Sequence, residues 1–496
     1  MTPLRLLALD LGAESGRAMV GNFDGSHLEI EEAHRFPNVP VRLGGTLYWD
    51  VLRLFGDIIT GIRGARAQGE IATIGVDAWG VDFGLLDARG RLVGNPVHYR
   101  DARTDGILVR AIQRTSREDI YAATGIQFMQ INTLYQLLAM ADSHDPDLDR
   151  AERLLLIPDL IHHFLSGSDV CEYTNATTTQ CYDVARATWA VELLDRLQIP
   201  TRLLPPVVQP GTVLGSLRAE VAAEVGGALR VVAPATHDTA SAVAATPLPA
   251  NGSAAFLSSG TWSLLGLELD RPTLSVAARE GNLTNEGGVA GTFRLLKNVM
   301  GLWLVQEARR AFASSGSPLS YEQLSALAEA APQASAFVDP DDERFLRPGD
   351  LPNVVAEYCA ETSQETPRDR GSLVRVLLES LALKYSVVLR QLEAVSGRTI
   401  DTIHVVGGGS NNALLCQLTA NACRIPVLGG PSEATAIGNL IVQAIAVGEL
   451  SSLAEARALV AASFPPRRYE PIGDWSEQRQ RFDELLRIGT RQGVFQ

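Results

Sequence analysis

The chain has 496 residues, 46% of them hydrophobic, which suits about two to four domains with sizeable cores. Its 43 basic and 57 acidic residues leave a formal charge of −14, which argues against a nucleic-acid or anionic-membrane surface. No apolar run approaches the roughly 18 residues that span a bilayer, and the patch Leu6–Leu9 is cut short by Asp10, unlike a signal peptide. The five cysteines form no CxxC pair and share no metal-ligand spacing with histidines, so reduced thiols in a cytoplasmic protein are expected.

In chain order, "LRLLALDLGAESGRAMVGNFDG" predicts a strand, a small-residue turn over Gly12–Gly16 and a returning strand, with Asp10 near the end of the first. "EIATIGVDAWGVDFGLLDARGRLV" (70–93) predicts a strand over Ala72–Val76, then Asp77, then a strand pair turned at Arg89-Gly90. "APATHDTAS" (233–241) closes a strand over Leu229–Ala233 and hands over to a helix from near Thr239. Side chains at such a junction project beyond the carboxyl ends of a sheet, where α/β proteins bind ligands. Asp238 there is either a reactive carboxylate or an N-cap accepting backbone N–H bonds.

A boundary is expected at "ATPLPANG" (245–252), followed by "SAAFLSSGTWSLLGLEL", a second strand–turn–strand unit with its turn at Ser258–Thr261. Each half of the chain thus opens in the same way, which suggests a duplication. Residues 332–353, rich in Pro and Asp, read as an irregular surface excursion. A helix over 372–397 closes on Gly397, 401–428 reads strand, glycine turn, helix, strand, and 433–448 predicts a buried helix. An amphipathic helix is expected over Trp475–Ile488. Alternating elements imply α/β layers in two domains of similar plan facing one cleft.

The turns Gly12–Gly16, Ser258–Thr261 and Gly407–Gly409 leave backbone N–H groups open to phosphate oxygens, or are plain tight turns. There is no GxxxxGK[ST] and no GxGxxG between strand and helix, which lowers P-loop and dinucleotide readings. Asp10 suits a carboxylate associated with Mg²⁺, which prefers oxygen ligands and keeps waters, or it caps its turn.

Taken together, "LDLGAESGR", "GVDAWGVDF", "YRDART", "NTLYQL", "EYTNATTTQ", "THDTASAV", "LSSGTWSL", "NLTNEGG", "LKNVMGLWLVQ" and "HVVGGGSNN" resemble the FGGY carbohydrate kinases over essentially the whole chain. The resemblance implies an α/β fold of two actin-like, ribonuclease-H-like domains around an interdomain cleft, over 1–247 and 248–496. The first would carry the sugar site and first phosphate loop, the second the second phosphate loop and the adenine side of the ATP site. "EYTNATTTQ" and "NLTNEGG" resemble the members that phosphorylate L-rhamnulose on its 1-hydroxyl with ATP. By the same resemblance Asp238 is the catalytic base. Ala13, Glu14, Ser15, Gly16, Arg17, Thr261, Gln306 and Gly408 contact ATP. Gly80, His237, Asp238, Thr239 and Asn298 contact the sugar, and Asp10 is linked to Mg²⁺.

Glu14 departs from the pattern, since an acid beside phosphates is unhelpful unless it points outward. Trp79, next to Gly80, is the tryptophan best placed to touch the sugar. The expected partners are a small-molecule ketose and ATP, without nucleic acid or membrane. Alternative acceptors are L-fuculose, L-ribulose, D-xylulose and glycerol; a more distant alternative is an actin- or chaperone-type ATPase.

Overall fold

The computed structural model describes residues 3–346 and 348–491. These form two compact units: 1–247 with 268–295 and 433–465, and 248–267 with 296–432 and the chain from 466. Among the described residues, no helix is long and apolar enough to cross a membrane.

The sheet of the first unit runs Thr212–Ser216, Arg230–Ala233, Thr73–Ala78, Leu4–Leu11, Ser15–Phe23, Leu28–Pro37. Leu4–Leu11 is antiparallel to Ser15–Phe23 and parallel to Thr73–Ala78, with Asp10 opposite both Arg17 and Asp77. Its last six residues are buried, including Asp10. A strand covered on both faces reads as a continuous apolar run rather than an alternation. Strand Thr73–Ala78 is likewise buried throughout, whereas the edge strand Leu28–Pro37 carries exposed polar residues. Helix Val51–Ala67 packs Leu54, Ile58, Ile62 and Ala65 at helical spacing, and Asp50 caps it by accepting from the Arg53 N–H at 3.3 Å.

The strand pair expected to turn at Arg89-Gly90 is present, with Leu86 and Leu92 in an antiparallel bridge and the Val93 N–H donating to Leu85 O at 2.9 Å. Phe83–Leu86 also pairs with Arg153–Leu156 from far along the chain, and Thr73–Ala78 joins the central sheet. The turn at Arg89-Gly90 is present, with Asp87 accepting from the Arg89 and Arg91 N–H groups.

Helix Ala434–Ala446 also belongs to the first unit and buries ten of its residues. Its polar side chains enter the sheet: Gln443 Nε2 donates to Leu7 O at 3.0 Å, and Asn439 Nδ2 donates to Gly75 O at 3.2 Å and Asp77 Oδ2 at 2.6 Å. Gly438 lies where helix Asp238–Ala244 comes closest, and a Cβ there would be driven into the Ser241 carbonyl oxygen.

In the second unit the strands run Phe293–Met300, Trp262–Leu269, Ala254–Ser259, Thr402–Val406, Val427–Gly429, Arg467–Tyr469. Ala254–Ser259 is antiparallel to Trp262–Leu269 and parallel to Thr402–Val406. This is the plan of the first sheet, in which a strand, its hairpin partner and a parallel third strand form the centre. The long helix Arg370–Ser396 is capped by Asp369, which accepts from the Ser372 N–H, and ends at Gly397 in the left-handed region at φ 69°.

The Pro/Asp-rich stretch is not a surface excursion. Ala336, Phe337, Val338 and Asp339 are buried, and Lys384 from the long helix binds Asp339 at 2.7 Å and Asp341 at 2.9 Å. Burial works against the Lys384 ammonium, but the two carboxylates outweigh it and hold its pKa above the ordinary lysine value. Desolvation raises the pKa of Asp339 in turn, with Lys384 opposing.

Two stability effects follow from this packing. Lys384→Met should cost about 3–5 kcal/mol by leaving buried carboxylates uncompensated, read as a lowered denaturant midpoint. Gly438→Ala should cost about 1–3 kcal/mol by forcing two helices apart, read in the same way.

Candidate active site

Three carboxylates of the first unit gather at the ends of adjacent strands. Asp10 and Asp77 are register partners on parallel strands. The backbone before Asp238 is tied to the end of the second strand, because the Ala78 N–H donates to Thr236 O at 2.9 Å and Ala78 bridges to His237. Asp10 acts electrostatically on both Asp77 and Asp238. Like charges this close demand a cation, and Arg17 supplies it. One guanidinium nitrogen binds Asp10 Oδ2 and the other Glu433 Oε2. Burial works against the Arg17 charge, but Asp10 and Glu433 prevail and raise its pKa. Desolvation is the main cause that drives the fully buried Asp77 well above the ordinary aspartate range; Asp10 adds to it and the Asn439 hydrogen bond opposes it.

Asp238 is the first residue of helix Asp238–Ala244, with His237 at the N-cap position and no side-chain cap bond. The helix therefore begins one residue before the expected Thr239. Asp238 is not its N-cap, because its carboxylate bonds only the adjacent residue rather than the next turn. Oδ1 accepts from Thr239 N at 2.6 Å and Thr239 Oγ1 at 3.2 Å, and His237 Nε2 lies 3.3 Å away. All three contacts fall on Oδ1, and a third of the side chain is exposed. Desolvation raises the Asp238 pKa; His237 opposes the shift and Asp10 reinforces it.

The turn after Asp10 is closed by Gly12 N donating to Ser15 O at 2.9 Å and by Asn38, which donates to Glu14 O at 3.0 Å and Gly12 O at 2.9 Å. Ala13 and Glu14 sit at its tip, Glu14 exposed, while Ser15, Gly16 and Arg17 already belong to the returning strand.

Gly80 is packed against Thr178, whose Oγ1 would lie 2.9 Å from a Cβ there, and Val81 follows at φ 68°. Trp79 belongs to the core. It packs against Trp49 with ring centroids 4.3 Å apart, and its indole N–H donates to Asp82 Oδ2 at 3.0 Å. Asp82 also accepts from Trp49 Nε1 at 2.6 Å and Gln136 Nε2 at 3.0 Å; burial still pushes its carboxyl up to about 6.

The second unit assembles its own group. Thr261 ends the turn that follows Ala254–Ser259, and its carbonyl accepts from the Gly301 and Trp303 N–H groups, each at 3.2 Å. Gln306 Nε2 reaches Thr261 Oγ1 at 3.4 Å. The Gly407–Gly409 turn lies against the same strand end: Gly407 adopts φ 80°, and a Cβ on it would meet Ser259 O at 3.0 Å. Gly408 has open space where a side chain would be. Thr261, Gln306 and Gly408 are therefore brought to one strand-end region. Asn298 is half-buried on strand Phe293–Met300, which leads into Gly301.

Sequence reading missed Asp77, Glu433, Asn439, Glu286 and Arg294. Asp77 alone had a signal, an acid at the end of an apolar run; the others meet their partners only through the fold. Among the described residues no three His, Cys, Asp or Glu side chains form a metal cage. Asp10 nonetheless offers a hard oxygen donor of the kind Mg²⁺ uses, and Mg²⁺ takes only one or two carboxylates when phosphates and waters complete its shell.

Comparison with known proteins agrees with this architecture. The N-terminal domain of the FGGY family of carbohydrate kinases matches residues 5–245 and its C-terminal domain residues 255–447. A rhamnulokinase of Pectobacterium carotovorum subsp. carotovorum (strain PC1) is 44% identical over 498 residues, covering 99% of this chain and 98% of the relative. One from Bacteroides thetaiotaomicron is 44% identical over 484 residues, covering 97% and 99%. Among solved structures, a gluconate kinase from Lactobacillus acidophilus superposes with TM-score 0.79 at 17% identity, covering 99% of this chain and 98% of that one. The fold is thus the two-domain, actin-like α/β fold of sugar kinases. The chain belongs to the FGGY family of carbohydrate kinases.

Proposed function

We propose that this kinase transfers the γ-phosphoryl group of ATP to the 1-hydroxyl of L-rhamnulose, giving L-rhamnulose 1-phosphate and ADP in the cytoplasm. The carrying observation is the Asp238 carboxylate. Its Oδ1 is held by Thr239 and faces His237, so Oδ2 is the oxygen left for a substrate hydroxyl. A sugar alcohol is a weak nucleophile, and a carboxylate within hydrogen-bond reach takes its proton as the bond to phosphorus forms. The O1–P bond forms, the bond from phosphorus to the β–γ bridging oxygen breaks, and the proton passes to Asp238 before leaving to solvent. Desolvation makes Asp238 a stronger base than a solvated aspartate.

In this reading Ala13, Glu14, Ser15, Gly16 and Arg17 serve the phosphates, Glu14 through its backbone because its side chain is exposed. Thr261, Gln306 and Gly408 serve the nucleotide, with Gly408 leaving room for close approach. Gly80, His237, Thr239 and Asn298 position the sugar. Residues 1–247 would carry the sugar site and first phosphate loop, and 248–496 the second loop and adenine side. Mg²⁺, when bound through Asp10, supplies neutralisation of phosphate charge. Support for L-rhamnulose comes from relatives named rhamnulokinase at 39–44% identity over nearly the whole chain.

ADP release measured with L-rhamnulose, L-fuculose, L-ribulose, D-xylulose and glycerol tests the acceptor. Greatest stimulation by L-rhamnulose is expected; a stronger response to another acceptor reassigns the substrate, and sugar-independent hydrolysis indicates an ATPase. Asp238→Asn should lose ~10²–10⁴-fold in kcat with its circular dichroism unchanged. In kcat/KM, activity should fall as pH drops through the raised Asp238 pKa, so the acid limb should lie above the ~3.9 of an ordinary aspartate and vanish from the residual rate of Asp238→Asn.

A further inference from the structure

Behind His237 lies a buried arginine that the reaction as described does not use. Arg294 is 0% exposed. Its Nε donates to Gly287 O at 2.8 Å, and its Nη2 lies 3.2 Å from both His237 Nδ1 and Glu286 Oε2. Its Nη1 has no hydrogen-bond partner among the described residues. Burying a guanidinium with one nitrogen unsatisfied is costly, and packing alone does not account for it.

A guanidinium only donates, so a hydrogen bond from Arg294 Nη2 requires a lone pair on His237 Nδ1. The ring proton then sits on Nε2, the ring nitrogen that lies 3.3 Å from Asp238 Oδ1. We propose that Arg294, held by Glu286, is a positioning residue that fixes the His237 ring as its Nε2–H tautomer and thereby keeps Asp238 Oδ1 engaged and Oδ2 turned to the sugar. The catalytic consequence rests on Asp238 being the base; the tautomer does not.

The opposing arrangement has Nδ1–H donating to Glu286 Oε2, 3.3 Å away, with the ring charged. Arg294 works against it in two ways, by repelling an imidazolium and by neutralising the Glu286 carboxylate. Among the described residues, the charged and titratable groups in contact with His237 are the adjacent Asp238, Glu286 and Arg294. Glu172 and Tyr173 act on Arg294, and Asp10 acts on Asp238. Glu172 is itself occupied by four donors, the N–H and hydroxyl groups of Thr174 and Thr236.

The test is histidine-selective ¹⁵N NMR on the full-length protein at neutral pH, with the His237 signal assigned by its loss in His237→Gln. A bare Nδ1 and a protonated Nε2 are expected; a protonated Nδ1, or a doubly protonated ring, overturns the proposal. In Arg294→Met, kcat should fall ~10–10²-fold with the sugar KM changed by less than about threefold, and Arg294→Lys should recover part of the loss. An unchanged kcat, or a defect confined to KM, would count against the positioning role. The wild-type spectrum decides the tautomer even if Arg294→Met fails to fold. Full turnover by Asp238→Asn would remove the base assignment while leaving the tautomer result standing.

Discussion

The architecture turns on the parallel pairing of the first strand with Thr73–Ala78, which sets Asp10 directly beside Asp77. Two carboxylates at neighbouring strand ends, with a third on the adjoining helix, repel one another in a poorly solvated place. The chain manages this with the Arg17 guanidinium and by making Asp77 hard to ionise. Such concentrated negative charge resists a polyphosphate unless cations accompany it.

The Arg17 bridge ties the start of the chain to its late helix. Glu433 is the residue before helix Ala434–Ala446, and it shares Arg17 with Asp10. The same helix sends Asn439 to Asp77. One helix thus supports two members of the acidic group, one by charge and one by hydrogen bonding.

Much of the plan could be read from the residues. The paired strand–turn–strand units, the glycine turns and the acid at the end of the 229–233 run each rest on local chemistry, and each appears in the fold. What failed to show were features created by long-range contact. Phe83–Leu86 does turn back on itself through Leu92, but its longer partner, the strand beginning at Arg153, left no mark nearby in the sequence. Residues 332–353 looked solvated because they are rich in aspartate; only the approach of Lys384 makes those acids tolerable inside. Trp79 invited a sugar-stacking role by its position next to Gly80, yet Trp49 and Asp82 occupy it. Arg294 gave no signal, since it meets His237 and the 286–287 pair only through the fold.

The placement of helix Ala434–Ala446 also bears on how the molecule is made. Its Gln443 accepts from the Thr73 hydroxyl at 2.6 Å and donates to Leu7 O, so the central strands of the first unit stay incompletely satisfied on that side until the helix arrives. A nascent chain of 300 residues already contains every strand of that sheet. It must nevertheless keep an apolar face uncovered while the ribosome adds more than a hundred further residues, a window in which chaperone capture or self-association competes with completion.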